Sequence, residues 1–176
     1  MKYGTHIDYK FCPMCASELK EGEVDDALRR YCPECGWIHY LNPALVVCII
    51  AYCADKVVLV KRGVEPAKGD WALPGGFVDV LEEPRDAARR ELKEEAGINP
   101  AGEFVLIDAV HQDSSRYTSV VVIGYSVCLD EELVLQAGDD VVDAMWVDAS
   151  KVKDLPFESF NRIFEVWKQR KTGGVL

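Results

Sequence analysis

Three glutamates, Glu91, Glu94 and Glu95, stand at i, i+3 and i+4 in the stretch GFVDVLEEPRDAARRELKEEAGI, residues 76–98. On a helix that spacing gathers their carboxylates on one face, where like charges repel one another. A divalent cation relieves the repulsion. Oxygen donors without histidine or cysteine favour Mg²⁺ or Mn²⁺ over zinc. Such an ion would also make a local positive site in a chain of net charge −10, to which phosphate oxygens could coordinate. The plainer alternative is the solvated face of a charged helix.

A second chemistry-bearing group lies upstream. Cys12, Cys15, Cys32 and Cys35 form two Cys-x2-Cys knuckles, CPMC and CPEC, with sixteen residues between them. That spacing suits one tetrahedral four-thiolate site, with Zn²⁺ expected, iron as its rival and disulfides as the minority reading. Four protein ligands leave no open position for a reacting water, so the site is structural. Cys48, Cys53 and Cys128 sit singly in β-branched runs and read as small buried hydrophobes.

The elements that must position these groups follow from the pattern around them. Pro84 suits a first helical turn and Gly97 a C-terminal cap, so a helix is expected from Pro84 to Ala96, with Ala88, Leu92 and Ala96 as its apolar stripe. Glu83 is a mediocre N-cap. ALVVCIIAY and KVVLVKR read as a hairpin turning at Ala54 and Asp55. Residues 62–76, with two prolines and four glycines, read as loop. Residues 103–110, 117–129 and 144–148 read as strands, and 156–171 as a helix with Phe157, Phe160, Phe164 and Trp167 on one stripe. Asn42–Pro43 marks a turn that divides a small metal ribbon, residues 1–43, from a larger domain, 44–176. The class is α+β.

The glutamate stretch fits G-x5-E-x7-R-E-U-x-E-E-x-G-U at Gly76, Glu82, Arg90, Glu91, Leu92, Glu94, Glu95, Gly97 and Ile98. A chance match in a chain of this size is on the order of 10⁻⁷ or less. This motif resembles that of the Nudix hydrolases, and the likeness covers residues 44 to about 170, including WALPGG and the VLVKR strand. The resemblance implies an α/β/α sandwich around a mixed sheet, preceded here by a zinc ribbon. It implies Mg-dependent hydrolysis of a nucleoside diphosphate linked to another moiety (FAD, ADP-ribose or NADH), water attacking phosphorus to release a nucleoside monophosphate. Glu91, Glu94 and Glu95 would hold Mg²⁺ and serve catalysis, and Arg90 would orient one of them. Glu82 would lie near the metal or pair with a basic residue of the box. Arg62, Gly76 and Trp71 are the candidates for substrate contact, and Asp140 and Asp143 for an additional carboxylate. Tyr117, Phe157 and Phe160 are further stacking candidates, with core packing as the alternative. Two other functions share this site: a housecleaning nucleoside-triphosphate pyrophosphohydrolase, and a non-catalytic nucleotide-binding regulator.

A ribbon ahead of such a domain resembles the NADH pyrophosphatases and the plant-type FAD and ADP-ribose pyrophosphatase relatives. At the place of the first group's SQPWPFP signature this chain reads HQDSSRYTS, residues 111–119. Where many ADP-ribose hydrolases carry a proline, it has Asp113. The relatives of this sort are commonly homodimers, so a homodimer is expected.

Composition narrows the partners. The 176 residues, 49% apolar and 28% charged, suit a globular chain with a real core. The longest apolar run, residues 44–54, is too short to span a bilayer, and MKYGTHIDYKF lacks a secretory core, so a cytoplasmic protein without a membrane partner is expected. Residues 1–43 carry Lys2, Lys10, Lys20, Arg29 and Arg30 against Asp8, Glu18, Glu21, Glu23, Asp25, Asp26 and Glu34. That acidic balance argues against nucleic acid as a partner and for a small nucleotide substrate.

Overall fold

The computed structural model describes residues 9–174. Residues 1–8, which include Lys2, Asp8 and most of the segment read for a secretory core, lie outside the described residues. The chain forms two compact units: residues up to Ala44 together with Asp113–Val120, and Leu45–Gln112 together with Val121–Leu176.

In the first unit, β1 (Lys20–Val24), β2 (Ala27–Tyr31) and β3 (Ile38–His39) make an antiparallel sheet in that order. Asp25 and Asp26 turn β1 into β2 with φ of 51° and 57°, the left-handed pair that matches the twist of a two-residue hairpin. None of these strands is predicted above. KEGEV and ALRRY have too few apolar residues to show a strand's alternation.

The second sheet comprises β4 (Ala44–Cys53), β5 (Lys56–Arg62), β6 (Trp71–Ala72), β7 (Val105–Ser114), β8 (Thr118–Cys128) and β9 (Val141–Asp148), of which all but Ala44 and the residues within 113–120 belong to the second unit. The sheet order is β6-β5-β4-β8-β7, with β9 paired antiparallel to β5. Ala54 and Asp55 turn β4 into β5 as expected, with Tyr52 opposite Val57. The segment read as loop holds a short strand: Trp71 and Ala72 pair with Lys61 and Val60. Two residues are too few for a period to register.

Helices α1 (Pro84–Ala96) and α2 (Glu158–Thr172) cover opposite faces of this sheet, and the alternation along β4 sorts them. Val47, Ile49 and Ala51 join Ala87, Ala88, Leu92 and Ala96 of α1 in one buried cluster. Tyr52, on the other face, meets Trp167 of α2 edge-on with ring centroids 5.3 Å apart. Gly124 of β8 lies under Ile163 of α2 so closely that an added Cβ would collide with it. The expected α+β class, a mixed sheet between helices, is what the chain adopts.

Helix ends obey their local chemistry. Gly97 caps α1 in the left-handed conformation, φ 72°, its N–H donating to Lys93 O at 3.0 Å. Glu83 gives no side-chain cap, as its type suggests. The N-cap of α2, Phe157, has none either, and Gln112 of β7 substitutes by accepting from Ser159 N and Oγ at 3.1 and 2.7 Å. Of the lone cysteines, Cys48 is fully buried, but Cys53 is half-buried and Cys128, at the end of β8, is exposed. The expectation of three buried hydrophobes therefore holds for one.

Candidate active site

The site is set by one side of α1 and the loop that precedes it. Pro74–Val78 runs along β4: Ile49 N donates to Pro74 O, Val47 N to Gly76 O and Val78 N to Leu45 O. This brings two glycines against the helix. Glu95 Oε2 accepts from Gly75 N at 2.8 Å. A Cβ on Gly76 would lie 2.5 Å from Glu91 Cδ, and one on Gly75 would collide with Val47 O. The close approach to backbone requires glycine at position 75, whereas a Cβ at position 76 would displace the Glu91 carboxylate.

Glu91 and Glu95 are 7% and 2% exposed, and both are charged residue types, which are almost never buried without a partner. They line an open cleft of about 210 Å³ with Gly75, Gly76, Phe77, Asp79, Arg90, Asp139 and Asp140. Burial first, then the nearby Glu91 and Asp140, push the Glu95 carboxyl up to about 9, against the lowering effect of the Gly75 amide. Burial also raises Glu91, with Arg90 opposing it.

Arg90 ties the box together. Its Nε and Nη2 donate to the two oxygens of Glu82 at 2.9 Å each, its Nη1 to Glu91 Oε1 at 2.7 Å and Glu94 Oε2 at 3.0 Å, and its Nη2 also to Phe77 O at 3.0 Å. All five guanidinium N–H groups are thereby engaged. The Arg90 hydrogen bonds hold the Glu82 carboxyl below its ordinary value.

The residues singled out from the sequence separate into groups. Gly76, Arg90, Glu91 and Glu95 line the cleft. Glu94, on the exposed side of α1, and Glu82 reach Arg90 and do not line it. Arg62 does not line it either: its Nε donates to Pro66 O at 2.7 Å and its guanidinium covers the Phe157 ring at 5.3 Å. Trp71 lies on β6 beside Lys61, also outside the cleft. Phe157 and Phe160 pack edge-on against each other at 5.0 Å. Asp140 lines the cleft, whereas Asp143 is exposed on β9 and accepts from its neighbour Ala144 N. Asp79 and Asp139 also line the cleft, and the sequence reading did not name them for the site. Adjacent acidic residues just before a strand are a signal that could have found Asp139, whose φ of 52° is the left-handed turn conformation aspartate tolerates.

The donor set fits a hard divalent cation. It consists of the carboxylate oxygens of Glu91, Glu95, Asp139 and Asp140, and the one cation lining the cleft, Arg90, has its donors committed to Glu82, Glu91, Glu94 and Phe77 O.

In the ribbon, the four thiols converge. The Sγ atoms of Cys12, Cys15, Cys32 and Cys35 lie within 4.8 Å of one another, with Cys12 to Cys35 and Cys15 to Cys32 at 3.5 Å. A tetrahedral zinc thiolate site has sulfur atoms about 3.8 Å apart. The knuckles are built alike. Ala16 N donates to Cys12 O and Gly36 N to Cys32 O, and both donors are left-handed, with φ of 61° and 74°.

Comparison with known proteins agrees with this geometry. The family model described as NUDIX domain matches residues 42–167, more than half of the chain. The chain belongs to the Nudix family. Its ribbon matches the model described as Nudix N-terminal at residues 10–41. This Nudix hydrolase is 36% identical over 135 residues to an ADP-ribose pyrophosphatase of Methanocaldococcus jannaschii, covering 76% of this chain and 78% of the other. It is 29% identical to the NAD-capped RNA hydrolase NudC of Deinococcus radiodurans, covering 84% of this chain and 52% of that one, so it spans about half of that relative's length. A crystal structure of a NUDIX hydrolase from Nitrosomonas europaea superposes with a TM-score of 0.76 at 26% identity, covering 94% of each chain. The Nudix hydrolase has no helix, among the described residues, long and apolar enough to cross a membrane.

Proposed function

We propose that this Nudix hydrolase cleaves the diphosphate of ADP-ribose, or of a closely similar nucleoside diphosphate linked to a sugar, with Mg²⁺ or Mn²⁺. The observation that carries the reading is the facing of buried Glu91 and Glu95 by Asp140 across one open cleft. Bound divalent cations supply charge neutralisation on the phosphates and lower the pKa of a coordinated water.

The chain's own residues do the rest. Glu91, Glu95 and Asp140 would hold the ions, with Glu95 fixed by the Gly75 amide and Glu91 by Arg90. Arg90 is a positioning residue, because its N–H groups are spent on Glu82, Glu91, Glu94 and Phe77 O. Glu82 locks Arg90 and is assigned no direct place on the metal, and Glu94 acts through Arg90 as well. Water adds to one phosphorus, the bridging P–O bond breaks, and AMP and a sugar phosphate leave. The choice of ADP-ribose is supported by the 36% identity to an ADP-ribose pyrophosphatase over most of both chains. The four thiolates of the ribbon, residues 1–43, would hold one zinc ion with a structural role, and residues 44–176 would carry the reaction.

The test is a panel of ADP-ribose, FAD, NADH, diadenosine polyphosphates and nucleoside triphosphates, with Mg²⁺ and with Mn²⁺, ranked by kcat/KM. ADP-ribose ranking first, with AMP as product, is the expected result. Preference for a triphosphate with release of pyrophosphate, or turnover of none, overturns it.

A further inference from the structure

We infer that Gly63 and Gly138 are positioning residues of the cleft, acting through Asp140. The inference rests on the reading of Asp140 as part of the metal-holding set. Neither glycine is demanded by backbone conformation, since neither has a positive φ. Both are demanded by space. A Cβ on Gly138 would lie 2.6 Å from Glu94 O, and one on Gly63 2.5 Å from Asp140 O. Each of these neighbours is backbone and cannot swing away as a side-chain tip could.

These contacts dock one turn onto two elements. Trp146 Nε1 donates to Leu133 O at 2.9 Å and anchors the start of the segment. Gln136 N donates to Ala96 O at 3.0 Å, closing a carbonyl at the end of α1 that the helix itself leaves open. Gly138 then passes over Glu94 O, one residue before Glu95. Gly63 N, just past β5, donates to Asp140 O at 2.7 Å from the other side. The Asp139–Asp140 turn is thus held between the C-terminal turn of α1 and the end of β5, and both aspartates line the cleft with Glu91 and Glu95, the Asp140 carboxyl within hydrogen-bond reach of Glu95. A methyl group at either glycine displaces the turn and with it the Asp140 carboxylate.

The experiment is a double-mutant cycle read by Mn²⁺ binding to the full chain in electron paramagnetic resonance titrations, with thermal melting as the fold control. Gly138→Ala should weaken Mn²⁺ binding about 10-fold in the wild-type background, the lower end of what outer-shell partners of metal ligands contribute. In the Asp140→Asn background the same substitution should change it by no more than about twofold, because the group it positions has gone. Gly63→Ala, run through the same cycle, serves should Gly138→Ala not fold. Equal weakening in both backgrounds, or none in either, overturns the inference while leaving the cleft's metal reading intact. A wild-type chain that binds no Mn²⁺ overturns both.

Discussion

Arg90 grips Glu82 with two parallel hydrogen bonds, Nε to Oε1 and Nη2 to Oε2, each 2.9 Å long. This fork-to-fork pair fixes the guanidinium plane, so that Nη1 meets Glu91 at 2.7 Å. Glu82→Gln cannot accept through both atoms and should loosen Arg90. A fall in kcat of about 10- to 100-fold with little change in melting temperature is expected, as for other outer-shell partners. Steady-state kinetics beside a melting curve checks it. Unchanged kcat would leave Glu82 without a role in positioning.

Burial holds Glu95 protonated in the metal-free fold up to about 9, whereas its ordinary value is 4.5. The folded chain therefore keeps a proton over that window that the unfolded chain has lost, and its stability falls as pH rises from 4.5 towards 9. Melting temperatures of chelator-treated protein should decline across the window. Glu95→Gln should flatten the decline, and Mn²⁺ should restore more stability at the alkaline end, where it displaces less proton. A metal-free melting temperature that rises through the same window contradicts the protonated state.

Gly76 leaves no room for a methyl group beside Glu91, whose Cδ would lie 2.5 Å from an added Cβ. Gly76→Ala should push the carboxylate out of place and raise the Mg²⁺ concentration for half-maximal activity about 10-fold or more. A Mg²⁺ titration of initial rates reads this directly. A curve that superposes on the wild type would show that Glu91 tolerates the displacement.

Strands β1 and β2 of the ribbon have few apolar residues, so closing four thiolates on one ion would stabilise it. Elemental analysis should give one zinc per chain, and Cys32→Ser should lose it and melt the ribbon. Two disulfides in place of four thiols, seen by mass spectrometry after alkylation, would refute the site.

The sequence made the helix and its caps legible, because Pro84 and Gly97 each have one local reason to be where they are. The split within the box was not legible. Spacing alone put Glu91, Glu94 and Glu95 together, yet Glu94 ends on Arg90 and only Glu91 and Glu95 reach the cleft. Which side of a helix becomes a cleft depends on the loop packed against it, here Gly75 and Gly76. Asp139 and Asp140 arrive from a segment more than 40 residues away, docked by backbone contacts at Gly63 and Gly138 that leave no periodic trace. Likewise, Arg62 and Trp71 have the right chemistry for a nucleotide, and only the fold turns them to Phe157 and Lys61.

The most direct measurement of the cleft's role is AMP formation from ADP-ribose at neutral pH with Mg²⁺, compared between wild type, Glu94→Gln and the double variant Glu91→Gln/Glu95→Gln. The double variant should lose activity by a factor on the order of 10³ or more with its fold retained, and Glu94→Gln by about 10-fold. A double variant within about 10-fold of the wild-type rate would contradict a hydrolytic site built on these two buried carboxylates.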